Sequence, residues 1–258
     1  MNNYINNYNN YNNNDFPKII MQTYKDYNIP EKWNTSQISI QKYLPNWEYH
    51  FLTDKDARNF CKNYFPWFLK TYDNFPYNIQ RVDALRPMWL YINGGIYMDM
   101  DYEIIDDNFE KLFNSNYNLF FTKSPNLKKY YTNSIMASKK NNPFWLYYLN
   151  EMTKKLPWYK KIGKHFNVMN STGPIILTHL INKYNPNFKL LPSSKLTPCS
   201  ICNINCDISN SYLKPLQGCS WISYDTKLYN IIICNYKHHL IYIFLFIFIL
   251  IILFRFII

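Results

Sequence analysis

Asp99 and Asp101 leave a short apolar stretch, Ile96-Tyr97-Met98, with one residue between them. Side chains two apart in an extended segment point the same way, so both carboxylates face one side. Two like charges that close repel each other unless a cation lies between them or water screens them. Mg2+ or Mn2+, hard ions that prefer carboxylate oxygen, would satisfy both and keep positions open for phosphate oxygens. A solvated acidic turn is the plainer alternative, and three residues alone do not separate the two. A second pair stands upstream. Asp83 and Arg86 are three apart in a helical pattern and share a face, with Arg81 nearby. They read either as an intrahelical ion pair or as a functional set. In the second case the carboxylate would bind ribose hydroxyls, and the guanidinium would fork a phosphate or a neighbouring carboxylate. His50, His165 and His179 are isolated, and none is assigned a role.

These residues need elements to hold them. Lys18 to Gln22 and Glu48 to Leu52 read as short strands, and Thr53 then caps a helix that begins at Asp54 with Asp56 in its first turn. Ile79, Val82, Leu85, Trp89, Leu90 and Ile92 recur at three and four residues, which predicts an amphipathic helix; Pro87 within it predicts a kink. Asn93-Gly94-Gly95 ends that helix, since glycine tolerates the left-handed cap, and Ile96 to Met98 follows as a buried strand. Asn118 to Thr122 and Ile135 to Ala137 are further strands, while Pro143 to Lys155 and Ile175 to Tyr184 are helices opened by proline. Alternation of this kind predicts an α/β domain with a mainly parallel central sheet. The D-x-D pair then sits at the carboxyl end of a strand, where open α/β sheets place ligands.

The chain has 258 residues, enough for one sizeable core, and a net charge of +11 that favours anionic partners. Its lysines are scattered rather than clustered and no nucleic-acid motif is present, so no nucleic-acid partner is expected. Five glycines argue against a glycine-rich dinucleotide fold. Residues 1–15 form an Asn/Tyr-rich tail expected to be disordered, and not a signal peptide. The domain is expected over 16–236. From Leu240 to Phe254 every residue is apolar, which predicts a single-pass C-terminal membrane anchor over 237–258 with Arg255 near its end. An anchor without a leading signal suggests a cytosolic domain. Cys199, Cys202, Cys206 and Cys219 lie close together and read as loop thiols, a disulfide, or half a zinc knuckle, which leaves the redox compartment open.

Several ordered segments resemble glycosyltransferase family 32. They are Lys18-Ile19-Ile20-Met21-Gln22, Phe65-Pro66-Trp67-Phe68-Leu69, Tyr77-Asn78-Ile79-Gln80-Arg81-Val82-Asp83 and Gly94-Gly95-Ile96-Tyr97-Met98-Asp99-Met100-Asp101. Ser134 to Ser138, Ser171-Thr172-Gly173-Pro174 and Gly218-Cys219-Ser220-Trp221 continue the likeness in order. Within the family the chain is most similar to the catalytic subunits that mannosylate inositol phosphoceramide. The resemblance implies a GT-A fold, a nucleotide-sugar donor (GDP-mannose ahead of UDP-sugars), Mn2+ or Mg2+, and retention of anomeric configuration. It implies Asp99, Asp101 and Arg86 as catalytic residues, with Asp99 and Asp101 on the metal. Asp83, Arg86, Tyr24, Gly95, Tyr97, Ser220 and Trp221 would bind the donor, Tyr24 by stacking on the base and Ser220-Trp221 by closing over the diphosphate. It further implies a lipid or glycan acceptor, a membrane setting in the secretory lumen, and room for a regulatory membrane subunit. Met21 and Ile222 replace histidines common in relatives. They motivate a rival reading, a catalytically inactive, membrane-tethered carbohydrate- or lipid-binding module.

Overall fold

The structure, a computed structural model, describes residues 16–125, 129–203, 205–216 and 221–235. Among the described residues eight strands are present: β1 (Ile19–Thr23), β2 (Glu48–Leu52), β3 (Gly95–Met98), β4 (Tyr102–Ile104), β5 (Leu119–Lys123), β6 (Tyr131–Ser138), β7 (Lys189–Leu191) and β8 (Leu213–Pro215). Among them run α1 (Asn34–Tyr43), α2 (Asp54–Tyr64), α3 (Leu69–Asp73), α4 (Asn78–Ile92), α5 (Pro143–Met152), α6 (Gly163–Ser171), α7 (Pro174–Tyr184) and α8 (Ser193–Leu196). A further helix occupies 224–235.

Six strands form one sheet in the order β2-β1-β3-β6-β5-β7, and β4 pairs with β8 in a small ribbon. β1 pairs parallel with both β2 and β3, and β5 with β7, while β6 runs antiparallel between β3 and β5. The sheet is therefore mixed, with the parallel half carrying the D-x-D strand. Alternation along the strands divides the core in two. Met21, Tyr97, Phe121 and Met136 face α4, α5 and α7, whereas Ile20, Ile96, Phe120 and Ala137 face the other layer with Trp47 and Phe113. Met21 is thus a fully buried core residue.

Local chemistry explains the elements near the site. The Thr53 hydroxyl accepts from Asp56 N, and the Asp56 carboxylate accepts in return from Thr53 N at 3.0 Å, a reciprocal cap that starts α2. α4 runs as one helix through Pro87, at a point where the chain is entirely buried. Gly95 opens β3 with φ +81, and a Cβ there would lie 2.2 Å from Ile19 O. Only glycine lets β1 and β3 approach this closely.

One expectation requires correction. Among the described residues no helix is long and apolar enough to cross a membrane, so the predicted transmembrane helix does not form part of the observed fold class. The apolar run beginning at Leu240, the Asn/Tyr-rich tail, Ser220 and Cys219 all lie outside the described residues. The zinc knuckle is also replaced, since Cys199 bonds to Cys206 and Cys202 to Cys234. Cys61 is a free, buried thiol whose pKa burial pushes to about 12, which leaves it inert at neutral pH.

Candidate active site

β2, β1 and β3 are mutually parallel, so their carboxyl ends open on one edge of the sheet. A cleft of about 290 Å3 lies there. Asp99 and Asp101 occupy its floor at the exit of β3, with Arg86 and Tyr97 beside them. Tyr24 and Trp33 line another wall, and Lys164 and Trp221 come in from α6 and from the segment before helix 224–235.

The turn after β3 is fixed by backbone bonds. Asp99 N donates to Ser134 O at 2.8 Å, Gln22 Nε2 donates to Asp99 O at 3.3 Å, and Leu216 N donates to Asp101 O at 2.6 Å. The two carboxylates then meet different surroundings. Asp99 is engaged: Arg86 Nη2 lies 3.0 Å from its Oδ1, and the Tyr97 hydroxyl donates to the same oxygen. Asp101 Oδ1 is buried without a hydrogen-bond partner among the described residues. Burial, and then the neighbouring Asp99 charge, push the Asp101 carboxyl up to about 8. A buried acceptor left in this state is costly unless a cation or a proton satisfies it.

That orphaned oxygen, two residues from a second carboxylate on an open cleft, fits a hard divalent cation. Among the described residues no third His, Cys, Asp or Glu completes a protein-only metal cage. The remaining coordination positions would fall to phosphate oxygens and water.

Arg86 is held from several sides. Its Nη1 lies 3.2 Å from Asp83 Oδ1 and donates to Asn133 O at 2.9 Å, and its guanidinium sits 4.7 Å from the centre of the Tyr97 ring. Burial disfavours its charge, but Asp99, Tyr97 and Asp83 together hold its pKa above the usual range. Asp83 lies behind it. Asn133 Nδ2 donates to Oδ1 at 3.0 Å and Thr172 Oγ1 donates to Oδ2 at 2.8 Å. Burial pushes Asp83 up to about 6, against the pull of Arg86 and these bonds. Asp83 is thus committed inside the protein and does not line the cleft. It orients Arg86, which orients Asp99. The intrahelical pair is present, and the guanidinium of Arg86 also meets the neighbouring carboxylate of Asp99.

Of the other expected donor-binding residues, Tyr24, Tyr97 and Trp221 reach the cleft. Gly95 does not: it lies at the amino end of β3, away from the cleft, where it packs under β1. The segment carrying Trp221 is tied down locally. Asp225 Oδ2 accepts from His165 N at 2.7 Å at the start of α6, and the Trp221 ring stacks 6.0 Å from that of His165. Trp33, Asp54, Asn78 and Lys164 also line the cleft and were not singled out from sequence. Asp54 carries a usable signal, because it follows the end of a parallel strand as Asp99 does. Trp33 and Lys164 carry none.

Residues 30–118 match the family model described as "Glycosyltransferase sugar-binding region containing DXD motif". The chain is 37% identical over 165 residues to inositol phosphoceramide mannosyltransferase 3 of Schizosaccharomyces pombe, covering 63% of this chain and 44% of the relative. It is 34% identical over 172 residues to mannosyl phosphorylinositol ceramide synthase SUR1 of Saccharomyces cerevisiae, covering 65% and 42%. It therefore spans less than half the length of these two relatives. An uncharacterized glycosyltransferase, L373, of Acanthamoeba polyphaga mimivirus is 30% identical over 215 residues, covering 79% of this chain and 81% of the relative. The solved PaToxG glycosyltransferase shares the fold with a TM-score of 0.50 at 19% identity, over 66% of this chain and 69% of that one. The chain belongs to the glycosyltransferases that carry a DXD-containing sugar-binding region.

Proposed function

We propose that this chain moves mannose from GDP-mannose to the inositol-phosphate head group of a sphingolipid, with retention of anomeric configuration. The names of the fungal relatives support the sugar and the acceptor. The net charge of +11 suits a phosphorylated donor and an anionic head group. The single observation that carries the reading is the buried, unpartnered Asp101 oxygen beside an Arg86-held Asp99 at the exit of β3.

In this reading Asp99 and Asp101 would hold Mn2+ or Mg2+, which when bound would neutralise charge on the departing diphosphate. Arg86 fixes Asp99 in place through its 3.0 Å pair, so the carboxylate enters the reaction already oriented. Tyr24 offers its ring to the base. Lys164 and Trp221 line the cleft, where the first would supply positive charge and the second would exclude water from the diphosphate. Asp54, the remaining described carboxylate of the cleft, stands at the exit of β2, away from the sugar. We therefore assign no covalent nucleophile. The acceptor hydroxyl attacks the face that the diphosphate leaves, and a leaving phosphate oxygen takes its proton.

The test is transfer from radiolabelled GDP-mannose and UDP-hexoses to mixed acceptors with manganese present, followed by partition of lipid from protein. Label from GDP-mannose in inositol phosphoceramide supports the proposal. Label confined to protein glycans, or transfer from UDP-hexose alone, would overturn it.

A further inference from the structure

The segment between α5 and α6 turns large side chains outward. Trp158 is 77% exposed, Tyr159 57% and Ile162 59%, and Phe166 in α6 is 41% exposed. Exposed apolar residues are normally scattered singly, and a cluster this dense marks a place of contact. The segment is also held in place. Lys160 N donates to Pro157 O at 3.1 Å to close the turn Trp158–Lys161, and Asn170 Nδ2 of α6 donates to Lys160 O at 3.4 Å. A second apolar face adjoins it. On helix 224–235, Tyr224, Leu228, Ile231 and Ile232 recur at three and four residues and are all exposed, whereas Thr226 is buried and the Tyr229 ring lies 4.4 Å from that of His165. The two faces meet at α6, where the Phe166 and Tyr229 rings are 5.6 Å apart and His165 N donates to Asp225 Oδ2 at 2.7 Å.

The charge around these side chains is of one sign. Residues 151–166 and 221–235 together hold six lysines, no arginine and two carboxylates. Both carboxylates are engaged, Glu151 by Lys154 at 2.6 Å and Asp225 by His165 N. Lys155, Lys160 and Lys161 are exposed and make no ion pair among the described residues. This composition chooses between occupants. The cores of protein–protein interfaces favour arginine and shed lysine. Tryptophan and tyrosine interleaved with lysine suit the surface of a bilayer instead, where the rings lie at head-group level and the lysine stems reach toward anionic head groups.

We propose that the segment from Trp158 to Phe166, with the adjoining face of helix 224–235, docks peripherally on the surface of an anionic lipid bilayer. Trp158, Tyr159, Ile162 and Phe166 enter the boundary between head groups and acyl chains, while Lys160 and Lys161 meet the lipid phosphates. The contact lies in the plane of the interface, and no residue of it crosses the hydrocarbon core. Lys164 and Trp221 line the cleft and stand next to this surface in the chain. Docking therefore brings the cleft close to the head groups.

The experiment is quenching of tryptophan fluorescence in the intact chain by vesicles, either an equal mixture of brominated phosphatidylcholine and phosphatidylserine or brominated phosphatidylcholine alone. Wild type is compared with Trp158→Phe and with the double variant Lys160→Glu, Lys161→Glu. Phenylalanine keeps an apolar ring but removes the fluorophore, so the difference between wild type and Trp158→Phe reports Trp158 alone, whatever else in the chain binds lipid. A quenched Trp158 component is expected on the anionic vesicles, several-fold smaller on phosphatidylcholine alone or at high salt, and lost in the lysine double variant. Both lysines are exposed, so the double variant keeps the test open should Trp158→Phe fail to fold. Equal quenching of wild type and Trp158→Phe on anionic vesicles would overturn the docking surface, as would quenching in the double variant equal to that of wild type. A concentration-dependent shift of Trp158 emission without lipid would assign the face to a second copy of the chain and would overturn it too. No nucleotide is present, so failure here leaves the sugar-transfer reading standing.

Discussion

Arg86 Nη2 lies 3.0 Å from Asp99 Oδ1, whereas Asp101, two residues on, keeps a buried oxygen with no partner among the described residues. The two carboxylates of one motif therefore differ in what their removal does. Asp101→Ala removes an unsatisfied group, so the folded state should lose little or gain slightly, while turnover falls by about 10² to 10³. Asp99→Ala leaves a fully buried guanidinium with one partner fewer and should destabilise the fold by about 3 kcal/mol as well. Urea unfolding set beside turnover for both variants distinguishes them. Equal stability losses would contradict the asymmetry.

Asp83 acts at one remove. Asp83→Ala strips Arg86 of a 3.2 Å partner and leaves Asn133 and Thr172 unpaired, so stability should drop by about 2–4 kcal/mol. Because Asp83 does not line the cleft, Asp83→Asn should keep the KM for donor near wild type and lower kcat through a loosened Arg86. A large rise in KM with unchanged kcat would instead put Asp83 on the substrate.

At Gly95 the backbone sets the limit. Alanine there must adopt φ +81 and place Cβ 2.2 Å from Ile19 O. Gly95→Ala should cost about 3 kcal/mol or more by forcing β1 away from β3. Thermal melting measures this, and a melting point within a degree of wild type would refute it.

The Cys202–Cys234 bond joins the loop after α8 to helix 224–235, whose Asp225 caps α6 and whose leading segment carries Trp221. A link across 32 residues stabilises by about 3–4 kcal/mol on the chain-entropy account. Cys234→Ser or mild reduction should lower stability by an amount of that order and weaken nucleotide binding several-fold through Trp221. Unchanged binding after reduction would detach the disulfide from the cleft.

His165 supplies a pH signature. It is 5% exposed, its Nδ1 is buried with no partner among the described residues, and burial lowers its pKa below the usual 6.5 while Asp225 pulls the other way. A depressed histidine pKa means the unfolded chain takes up the proton first. Its contribution is thus complete above about pH 6.5 and is lost as pH falls toward the folded value. Denaturant unfolding between pH 7.5 and 5.5 should show declining stability, with a flatter profile in His165→Gln. An identical profile in the variant would remove His165 from that role.

Much of this arrangement was legible in the residues because strong local rules acted alone. The Thr53 cap, the glycine stop after α4 and the apolar run into Asp99 each determine their element without tertiary help. The antiparallel insertion of β6 was not legible, since a hydrophobic strand carries no mark of its direction. Asp83 and Arg86 were visible as a pair, but their buried partners Asn133 and Thr172 lie about 50 and 89 residues away from Asp83, and no periodicity links them. The role assigned to Gly95 failed to separate a glycine needed for strand approach from one needed for ligand approach. Cys202 pairs with Cys234, 32 residues on in helix 224–235, which no C-x-x-C spacing signals. The apolar stretch after Lys237 met every compositional criterion for a span, yet such criteria describe solubility in lipid and not the packing of the described domain, which contains no spanning helix.

The central claim is that Asp99 and Asp101 together present a cation to a nucleoside diphosphate. Calorimetric titration of GDP into the wild-type chain and into Asp101→Ala, each with manganese and with chelator, tests it directly. Tight binding in wild type that requires manganese and is lost in the variant is the predicted result. Binding that is indifferent both to chelation and to Asp101→Ala would contradict it.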